Sequence, residues 1–444
     1  MSKDIDHLTK PWLLSPKRNY AFLNANLIDV VAGTIIENVT IYINNGIISQ
    51  VDTVKKEVPE GFNAVNLEGQ FVCPGLIDVH IHLVAVPGGT DLKTGLQLPL
   101  PRIVLQYHRL CKNMLDRGFT SVRDCGGAAA FVRDAIEDDI IHGPRLFLAG
   151  NALSQTGGHG DLRNPVFEDK VQDACGCQSN VVARICDGAD ECLKAARDEL
   201  RKGADFIKIM AGGGVASPTD NISSLQFTSE EIKAIVQAAS NSGTYVTAHA
   251  YTPQSIRHCI ENGVRGIEHG NLIDESTAEY MASHDAYLTP TLITYKMMAN
   301  DQFTGFLPEE VRKKNEKVLA AGLKSLAIAK NAGVKICYGS DLLGPLVSAQ
   351  TGEFVLRSSV CTPAEILQAA TINPAKLLGM ESKLGQLKQG FYADLLILNS
   401  NPLEDISVLD RPDRHLLAVM KGGRIYKSRW TKLPDDVIQR DIIE

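Results

Sequence analysis

The feature that most constrains the fold is a regular alternation of short apolar segments with helical patterns through the middle of the chain. The eight apolar segments are residues 71–82, 118–124, 145–149, 205–209, 245–249, 266–269, 287–289 and 335–341. The stretches between them repeat apolar residues with the helical period of 3.6, and the segment after Thr228 is a clear example. Strands that alternate with helices predict a parallel α/β fold, and eight of them favour a (β/α)₈ barrel over an open sheet.

Both ends of the chain carry a different pattern, in which short β-rich runs are separated by turn signals. Asn45-Gly46 marks this pattern near the N-terminus, and Gly422-Gly423 marks it near the C-terminus. Because such patterns are typical of small antiparallel sheets, we expect both ends to form one sheet domain. The predicted parts of the chain are residues 1–70, a barrel over residues 71–383, and residues 384–444.

The composition excludes several classes of protein. A chain of 444 residues with 44% apolar residues can bury a large core, and its net charge of −7 provides no basic field to attract nucleic acid. The apolar stretch at residues 12–14 is too short for a signal peptide or a membrane span. Ten cysteines in so long a chain do not indicate a disulfide framework. We therefore expect a cytoplasmic, homo-oligomeric enzyme that acts on a small molecule, with no nucleic-acid or membrane partner.

Candidate metal ligands fall at the carboxyl ends of the predicted strands. His80 and His82 are two positions apart, so the period of a strand places both imidazoles on the same side. Such a pair is a weak signal when it stands alone. The other candidates each lie at or near the end of a later predicted strand, and they are Lys208, His249, His269 and Asp341. Barrels of this kind carry their active sites at that face, so the six residues are expected to converge.

Each later candidate also has a structural interpretation. Lys208 would fit as the partner of a carboxylate, His249 and His269 as hydrogen-bonded core histidines, and Asp341 as a helix cap. Four separate structural roles do not explain why all four residues lie at strand ends of one predicted barrel. A shared metal site does explain this position.

Three further sequence features carry less weight. Residues 150–191 are too long for an ordinary barrel loop, so we expect an active-site loop there. Cys175-Gly176-Cys177, with Cys186 and Cys192, lacks the two matched pairs of a zinc knuckle, and we expect structural cysteines. Gly212-Gly213-Gly214 lacks the lysine and hydroxyl residue of a phosphate loop, so a close approach of the backbone at the site explains it better.

The motifs themselves are distinctive. Residues 74–82 read Pro-Gly-Leu-Ile-Asp-Val-His-Ile-His, and residues 339–341 read Gly-Ser-Asp. Further motifs lie at residues 208–214, 249–253, 267–271 and 385–395. Together they resemble the amidohydrolase superfamily, in particular the imidazolonepropionase-related branch with its Xaa-Pro dipeptidases, carboxypeptidases and fungal ochratoxin amidases. The resemblance implies a TIM barrel with a small β-sandwich built from both chain ends.

The resemblance also implies a site with two metal ions. It assigns His80 and His82 to the more buried ion, His249 and His269 to the other, and a carbamylated Lys208 to a bridge between them. A neutral lysine amine can take up carbon dioxide to form such a carbamate. Zinc is the expected metal because it suits imidazole and oxygen donors, and manganese and cobalt stay open as alternatives. The implied reaction is hydrolysis of an amide or peptide bond by a metal-activated hydroxide.

Three residues receive catalytic roles from the same resemblance. Asp341, a ligand of the more buried metal, would move a proton from the attacking water to the leaving nitrogen. His159 and Tyr251 would hydrogen-bond the substrate carbonyl or the oxyanion formed from it. An exposed loop histidine and a packed rim aromatic are their structural alternatives. Some relatives have a second histidine in place of Tyr251, so substrate preferences do not transfer from them.

Two other functions stay open at this stage. A cyclic amidohydrolase or deaminase with one metal ion would have no use for Lys208 as a bridge, and a barrel without catalytic activity would be expected to have lost ligands. Within amide hydrolysis, the candidate substrates are dipeptides, N-acyl amino acids and ochratoxin-like amides. Arg163 is a candidate for binding a substrate carboxylate, and an ordinary surface role fits it equally well.

Overall fold

The computed structural model describes residues 9–54, 56–89, 91–96, 98–163, 182–217 and 220–437. The first ten strands of these residues are β1 (Tyr20–Asp29), β2 (Thr34–Asn44), β3 (Ile47–Asp52), β4 (Asn63–Asn66), β5 (Phe71–Pro74), β6 (Leu76–Ile81), β7 (Phe119–Asp124), β8 (Arg145–Leu148), β9 (Ala152–Ser154) and β10 (Ala183–Ile185). The strands that follow are β11 (Ile207–Met210), β12 (Val246–Ala250), β13 (Gly266–His269), β14 (Tyr287–Thr289), β15 (Lys335–Ile336), β16 (Leu395–Leu398), β17 (Leu416–Lys421) and β18 (Arg424–Ser428).

The α-helices of the described residues lie between strands β6 and β16, except for the last one, which lies between β16 and β17. They are α1 (Leu92–Leu96), α2 (Leu100–Asp116), α3 (Ala130–Glu137), α4 (Ala189–Arg201), α5 (Ser229–Asn241), α6 (Pro253–Glu261), α7 (Glu275–Ser283), α8 (Leu292–Met298), α9 (Glu309–Asn331), α10 (Gly352–Arg357), α11 (Pro363–Ala369), α12 (Ile372–Leu377) and α13 (Pro412–His415). In the described ranges, 3₁₀ helices span Asp301–Phe303, Gly344–Ala349 and Ile406–Asp410. A membrane-crossing helix needs a long apolar stretch, and none of the helices in the described ranges has one.

Strands from both ends of the chain pair in one sheet. Its order is β18-β17-β16-β5-β1-β2-β3, and β4 pairs beside β1. The ends of the chain meet where β16 runs antiparallel to β5, with Leu396 opposite Cys73. Apolar side chains of this sheet pack in a cluster that includes Phe22, Ile41 and Ile397. This pairing agrees with the expectation that both ends contribute to one sheet.

The middle of the chain forms two parallel sheets surrounded by helices. One sheet has the order β6-β7-β8, and the other has the order β10-β9-β11-β12-β13-β14-β15. Every pairing between the neighbouring strands of these two sheets is parallel. Hydrogen bonds also link the two sheets, because the amide of Val79 donates to the Tyr338 carbonyl at 2.9 Å and the amide of Asp205 donates to the Leu148 carbonyl at 2.7 Å. The predicted α/β class is confirmed.

Two predicted strands differ from the observed ones. The segment at residues 71–82 contains two strands, β5 and β6, because the chain passes from one sheet to the next at Gly75. A β-carbon at Gly75 would lie 2.1 Å from the Thr120 hydroxyl, so only glycine fits this crossing. The segment at residues 335–341 forms a short strand, β15. Its remainder lies beside β6, where the amide of Asp341 donates to the His80 carbonyl at 2.8 Å.

The predicted active-site loop contains regular structure that its sequence did not indicate. Strands β9 and β10 lie within residues 150–191, and they pair in parallel beside β11. Residues 164–181, with Cys175-Gly176-Cys177, lie outside the described residues. Cys186 and Cys192 are buried, and their sulfur atoms are 3.7 Å apart.

Candidate metal centre

Histidine and aspartate side chains converge at the carboxyl ends of neighbouring strands. His80 lies near the end of β6 and His82 follows it, and the Nε2 atoms of both rings lie 3.4 Å from the same Oδ1 atom of Asp341. The ring of His269, at the end of β13, is centred 5.1 Å from the ring of His80. Ligand atoms of His80, His269 and Asp341 all lie within 4.8 Å of one another. Such a cluster has the size and the donor types of a metal site.

The other two predicted ligands come from the two strands that precede β13 in the order of the seven-stranded sheet. His249 is in β12, beside β13, and its ring is centred 4.5 Å from the ring of His269. Lys208 is in the next strand, β11, and is buried. Burial lowers the pKa of the Lys208 amine, although the charges of Glu268, Cys125 and Asp341 act in the opposite direction. The structure therefore places four of the six predicted ligands in strands of the two parallel sheets, His82 directly after β6, and Asp341 beside β6 in the segment that follows β15.

Burial and neighbouring charges set the protonation of these groups. Burial lowers the pKa of His80, His249 and His269, which favours the neutral imidazole that binds metals. Burial has the same tendency at His82, but the nearby carboxylates of Asp341 and Asp124 raise its pKa overall. Burial alone would raise the pKa of Asp341, and the adjacent histidines lower it enough to keep the carboxylate ionised.

Hydrogen bonds at Nδ1 fix the rings of His80, His82 and His269. Nδ1 of His80 lies 2.7 Å from Oε2 of Glu268, and Nδ1 of His82 lies 3.0 Å from the Gly126 carbonyl oxygen. Nδ1 of His269 lies 2.7 Å from the hydroxyl of Thr291. Metal-binding histidines commonly donate one ring N–H to such an acceptor, which fixes the tautomer and turns the other nitrogen towards the metal.

His159 and Tyr251 lie against the same histidines. The His159 ring stacks on the His249 ring with the centroids 4.2 Å apart, and its side chain is only 14% exposed. The Tyr251 ring is centred 4.9 Å from His249 and 5.2 Å from His269. The low exposure of His159 argues against its structural alternative, an exposed loop histidine. The buried ring of Tyr251 fits a packed aromatic as well as a catalytic residue.

Gly214 explains how His159 approaches the centre so closely. A β-carbon at Gly214 would lie 2.0 Å from two atoms of the His159 ring, so a larger residue would displace the ring. The backbone amide of His159 also donates to the Gln226 side chain at 2.9 Å. The close backbone approach that the sequence indicated for Gly212-Gly213-Gly214 is present at this position.

Comparison with known proteins identifies the family. The model of the amidohydrolase family matches residues 71–426. The chain belongs to the amidohydrolase family. It is 33% identical to the ochratoxinase of Aspergillus niger over 370 residues, which are 80% of this chain and 75% of that protein.

Solved structures agree with this assignment. A crystal structure of an amidohydrolase is 42% identical to this chain, has a TM-score of 0.87, and covers 92% of this chain and 98% of its own. A prolidase complexed with N-methylphosphonate-L-proline is 39% identical, also has a TM-score of 0.87, and covers 93% of this chain and 100% of its own. The resemblance stated from the sequence is confirmed, and the protein is a hydrolase that acts on C–N bonds.

A buried ion pair behind the centre of this amidohydrolase was missed in the sequence. Arg123 Nη2 lies 2.5 Å from Glu268 Oε1, and neither side chain is exposed. Glu268 also accepts hydrogen bonds from the Thr247 hydroxyl and the His80 ring. The available signal was that Arg123 and Glu268 lie within segments predicted to be buried strands. Charged residues are rarely buried without a partner, so each of them indicated one.

Lys314 is a further residue of this amidohydrolase that no sequence motif indicated. Its ammonium group, on α9, donates to the carbonyls of Gly214 at 3.2 Å, Ser217 at 2.7 Å and Asp220 at 2.5 Å. These carbonyls belong to the loop that follows β11 and touches His159. Lys314 therefore fixes the position of a loop at the site.

Arg163, the candidate for a substrate carboxylate, has a partner within the chain. Its Nε and Nη2 atoms each lie 2.8 Å from an oxygen of Asp161. Asp161 also accepts from the amide of Gly157 at 2.9 Å. A substrate carboxylate would therefore have to share the Arg163 guanidinium with Asp161. The substrate-binding role of Arg163 stays a prediction.

Three residues of the candidate site, two of them candidate ligands, adopt left-handed backbone conformations. The φ angles are 74° at His269, 46° at Thr291 and 49° at Asp341. Residues with a β-carbon rarely adopt such angles, and each costs on the order of 1–3 kcal/mol unless the surroundings compensate. Strain of this kind clusters at functional sites, where it directs a side chain that ordinary backbone would turn elsewhere.

Proposed function

We propose that this amidohydrolase binds two divalent metal ions and hydrolyses an amide or peptide bond in a small molecule. The observation that carries the proposal is the convergence of imidazole nitrogens and one carboxylate from His80, His82, His269 and Asp341. His249 and Lys208 lie in the strands beside them. The substrate classes we propose are dipeptides, N-acyl amino acids and ochratoxin-like amides, because relatives named ochratoxinase and prolidase share most of the chain.

The donor set fits divalent metal ions. The Nε2 atoms of His80 and His82 face an ionised carboxylate oxygen of Asp341, while their Nδ1 atoms are engaged elsewhere. Imidazole and carboxylate donors suit zinc, which we propose as the metal. His80, His82 and Asp341 would hold the more buried ion, and His249 and His269 would hold the other.

Lys208 completes this proposal as a bridge. Its side chain is buried beside the carboxylates of Glu268 and Asp341. Reaction of the amine with carbon dioxide would form a carbamate, whose two oxygens could each face one ion. We base this assignment on the match of residues 208–214 to the family motif and on the position of Lys208 next to His249 in the sheet.

The remaining roles belong to side chains of this chain. Bound divalent ions polarise a carbonyl group and make water more acidic. Asp341 accepts a proton from the attacking water at its carboxylate, and the water oxygen forms the new bond to the carbonyl carbon. Asp341 then donates that proton to the nitrogen as the C–N bond breaks. His159 and Tyr251 donate hydrogen bonds to the carbonyl oxygen as it gains negative charge.

The proposed scaffold is the one expected from the sequence. We propose that the two parallel sheets close into a (β/α)₈ barrel through the Val79–Tyr338 and Asp205–Leu148 hydrogen bonds, and that the sheet from both chain ends belongs to a β-sandwich. The proposed boundaries are residues 1–70, 71–383 and 384–444. The homo-oligomer and the cytoplasmic location stay predictions.

A hydrolysis screen of zinc-loaded protein tests the proposal. The substrates are Xaa-Pro dipeptides, other dipeptides, N-acyl amino acids and an ochratoxin-like aryl amide of phenylalanine, with release of the amine as the measurement. A cyclic imidazolone and an aminopyrimidine test the one-metal alternative. We expect turnover of at least one linear amide, two zinc ions per chain, and loss of activity with a chelator.

An Asp341→Asn variant tests the proposed role of Asp341 in proton transfer. Asparagine has nearly the same size but cannot accept and return the proton, so turnover should fall by several orders of magnitude while circular dichroism stays unchanged. Full activity with one bound ion, or turnover only of the cyclic imidazolone or the aminopyrimidine, would contradict the proposal.

A further inference from the structure

A chain of hydrogen bonds connects His269 to Tyr251 through Tyr295. The Tyr295 hydroxyl oxygen lies 2.9 Å from Nδ1 of His269 and 2.8 Å from the Tyr251 hydroxyl oxygen. The Thr291 hydroxyl lies 2.7 Å from the same Nδ1 atom. All four side chains are buried, so bulk water does not compete for their protons. Neighbours within the chain therefore decide which way each proton points.

The state of His269 sets the direction of this chain. When Nε2 binds a metal ion, Nδ1 keeps its proton and can only donate, either to Thr291 or to Tyr295. Tyr295 then cannot donate to Nδ1, and the acceptors within its reach are the Tyr251 oxygen and the Thr291 hydroxyl oxygen. When the Thr291 oxygen accepts the Nδ1 proton, the Tyr295 proton goes to the Tyr251 oxygen. When Nδ1 is instead unprotonated, it accepts the Tyr295 proton, and Tyr251 donates to Tyr295.

The consequence concerns the hydroxyl proton of Tyr251. In the first direction, the Tyr251 oxygen accepts from Tyr295 and its own proton is available to another acceptor. In the reverse direction, that proton is held by Tyr295. The ring of Tyr251 lies against His249 and His269, so a substrate bound at the candidate site would offer an oxygen as the acceptor.

We propose that Tyr295 is a positioning residue that directs the Tyr251 proton towards the substrate carbonyl when His269 binds a metal ion. The inference rests on the proposed function for the identity of the substrate. It goes beyond that function because it assigns a role to Tyr295, and because it makes Tyr251 a donor only in the metal-loaded state. Donation to a developing oxyanion strengthens when the donor oxygen itself accepts a hydrogen bond.

The first test does not depend on any substrate. The intensity ratio of the tyrosine doublet in ultraviolet resonance Raman spectra depends on whether the hydroxyl donates or accepts a hydrogen bond. We expect zinc to change this ratio in the wild-type protein. The change should be absent in Tyr251→Phe and Tyr295→Phe and retained in Tyr42→Phe, which alters a buried tyrosine in β2 of the sheet formed by both chain ends. The absence of a zinc-dependent change in the wild type would overturn the inference.

The second test is a double-mutant cycle. Tyr251→Phe should lower kcat about 100-fold, as expected for the loss of one donor to an oxyanion. Tyr295→Phe should lower kcat about tenfold in the wild-type background and less than twofold in the Tyr251→Phe background, because it acts only through Tyr251. Affinity for N-methylphosphonate-L-proline, the ligand of the prolidase relative, should follow the same pattern. Zinc content should not change, since Thr291 still accepts from His269.

The outcomes separate this inference from the proposed function. Equal losses from Tyr295→Phe in both backgrounds, or loss of zinc, would show that Tyr295 acts on His269 or on packing, and the inference would be wrong while amide hydrolysis stood. A zinc-dependent Raman change that both tyrosine variants abolish, in a protein that hydrolyses none of the amides, would support the hydrogen-bond chain and refute the proposed function.

Discussion

Replacement of Arg123 by methionine removes one member of the buried ion pair and should destabilise the protein strongly. The guanidinium and the Glu268 carboxylate are in contact at 2.5 Å, and both side chains are inaccessible to water. At an effective dielectric constant of about 20, unit charges about 4 Å apart interact by about 4 kcal/mol. Removal of one partner from a buried pair typically costs about 3–5 kcal/mol, because the remaining charge is left uncompensated. We therefore expect the free energy of unfolding to fall by about 4 kcal/mol.

Urea unfolding, followed by circular dichroism at a fixed zinc concentration, measures this loss. Zinc must be held constant because a ligand that binds the folded state adds its own stabilisation. Arg312→Met is the matched control, since Arg312 pairs with Glu309 in an exposed position at 3.3 Å. An exposed pair contributes about 0–1 kcal/mol, so the control should unfold close to the wild type.

A double variant determines whether the unpaired charge is the cause. Arg123→Met with Glu268→Gln leaves no buried charge at this position. The double variant should therefore be more stable than the sum of the two single losses implies, by about 2 kcal/mol or more. The reasoning fails if Arg123→Met costs less than about 1 kcal/mol, or if the two losses are additive.

Three further changes test the site. Lys208→Ala should lose bound metal and activity together, and formate, acetate or propionate with zinc should restore part of both, as read by elemental analysis and amide hydrolysis. Lys314→Met should raise KM several-fold more than it lowers kcat, because the loop after β11 loses its anchor, whereas exposed Lys317→Met should match the wild type in the same steady-state assay. Gly214→Ala should reduce kcat at least tenfold by displacing His159, while Gly95→Ala, which meets no neighbour, should have wild-type kinetics. Unchanged metal in the first variant, or wild-type kinetics in the second or third, would contradict the corresponding argument.

Much of the parallel fold follows from local sequence patterns. A buried strand and its end are visible in a short window, so the positions of His80, His249 and His269 at strand ends could be predicted without knowing the fold. The crossing at Gly75 could not, because the residues on both sides are apolar and continue one pattern. Glycine is required at the crossing because Thr120 lies against Gly75, and Thr120 becomes its neighbour only in the folded chain.

Residues that support the site were harder to predict because their partners are distant in sequence. Arg123 and Glu268 are 145 residues apart, and no local pattern relates them. Lys314 lies on an amphipathic helix where a lysine ordinarily faces water, and the carbonyls that it binds are about 100 residues earlier. Tyr295 follows the short strand β14 and carries no motif. These contacts exist only once the strands and helices are packed.

The position of the Arg123–Glu268 pair has a consequence for the candidate metal centre. Arg123 lies in β7 of the three-stranded sheet, and Glu268 lies in β13 of the seven-stranded sheet. The candidate ligands are divided in the same way, because His80 belongs to the first sheet while Lys208, His249 and His269 belong to the second. Glu268 contacts both Arg123 and the His80 ring, so one carboxylate joins the sheets and sets the ligand orientation. A change in how the two sheets meet would therefore alter the site even if every ligand were retained.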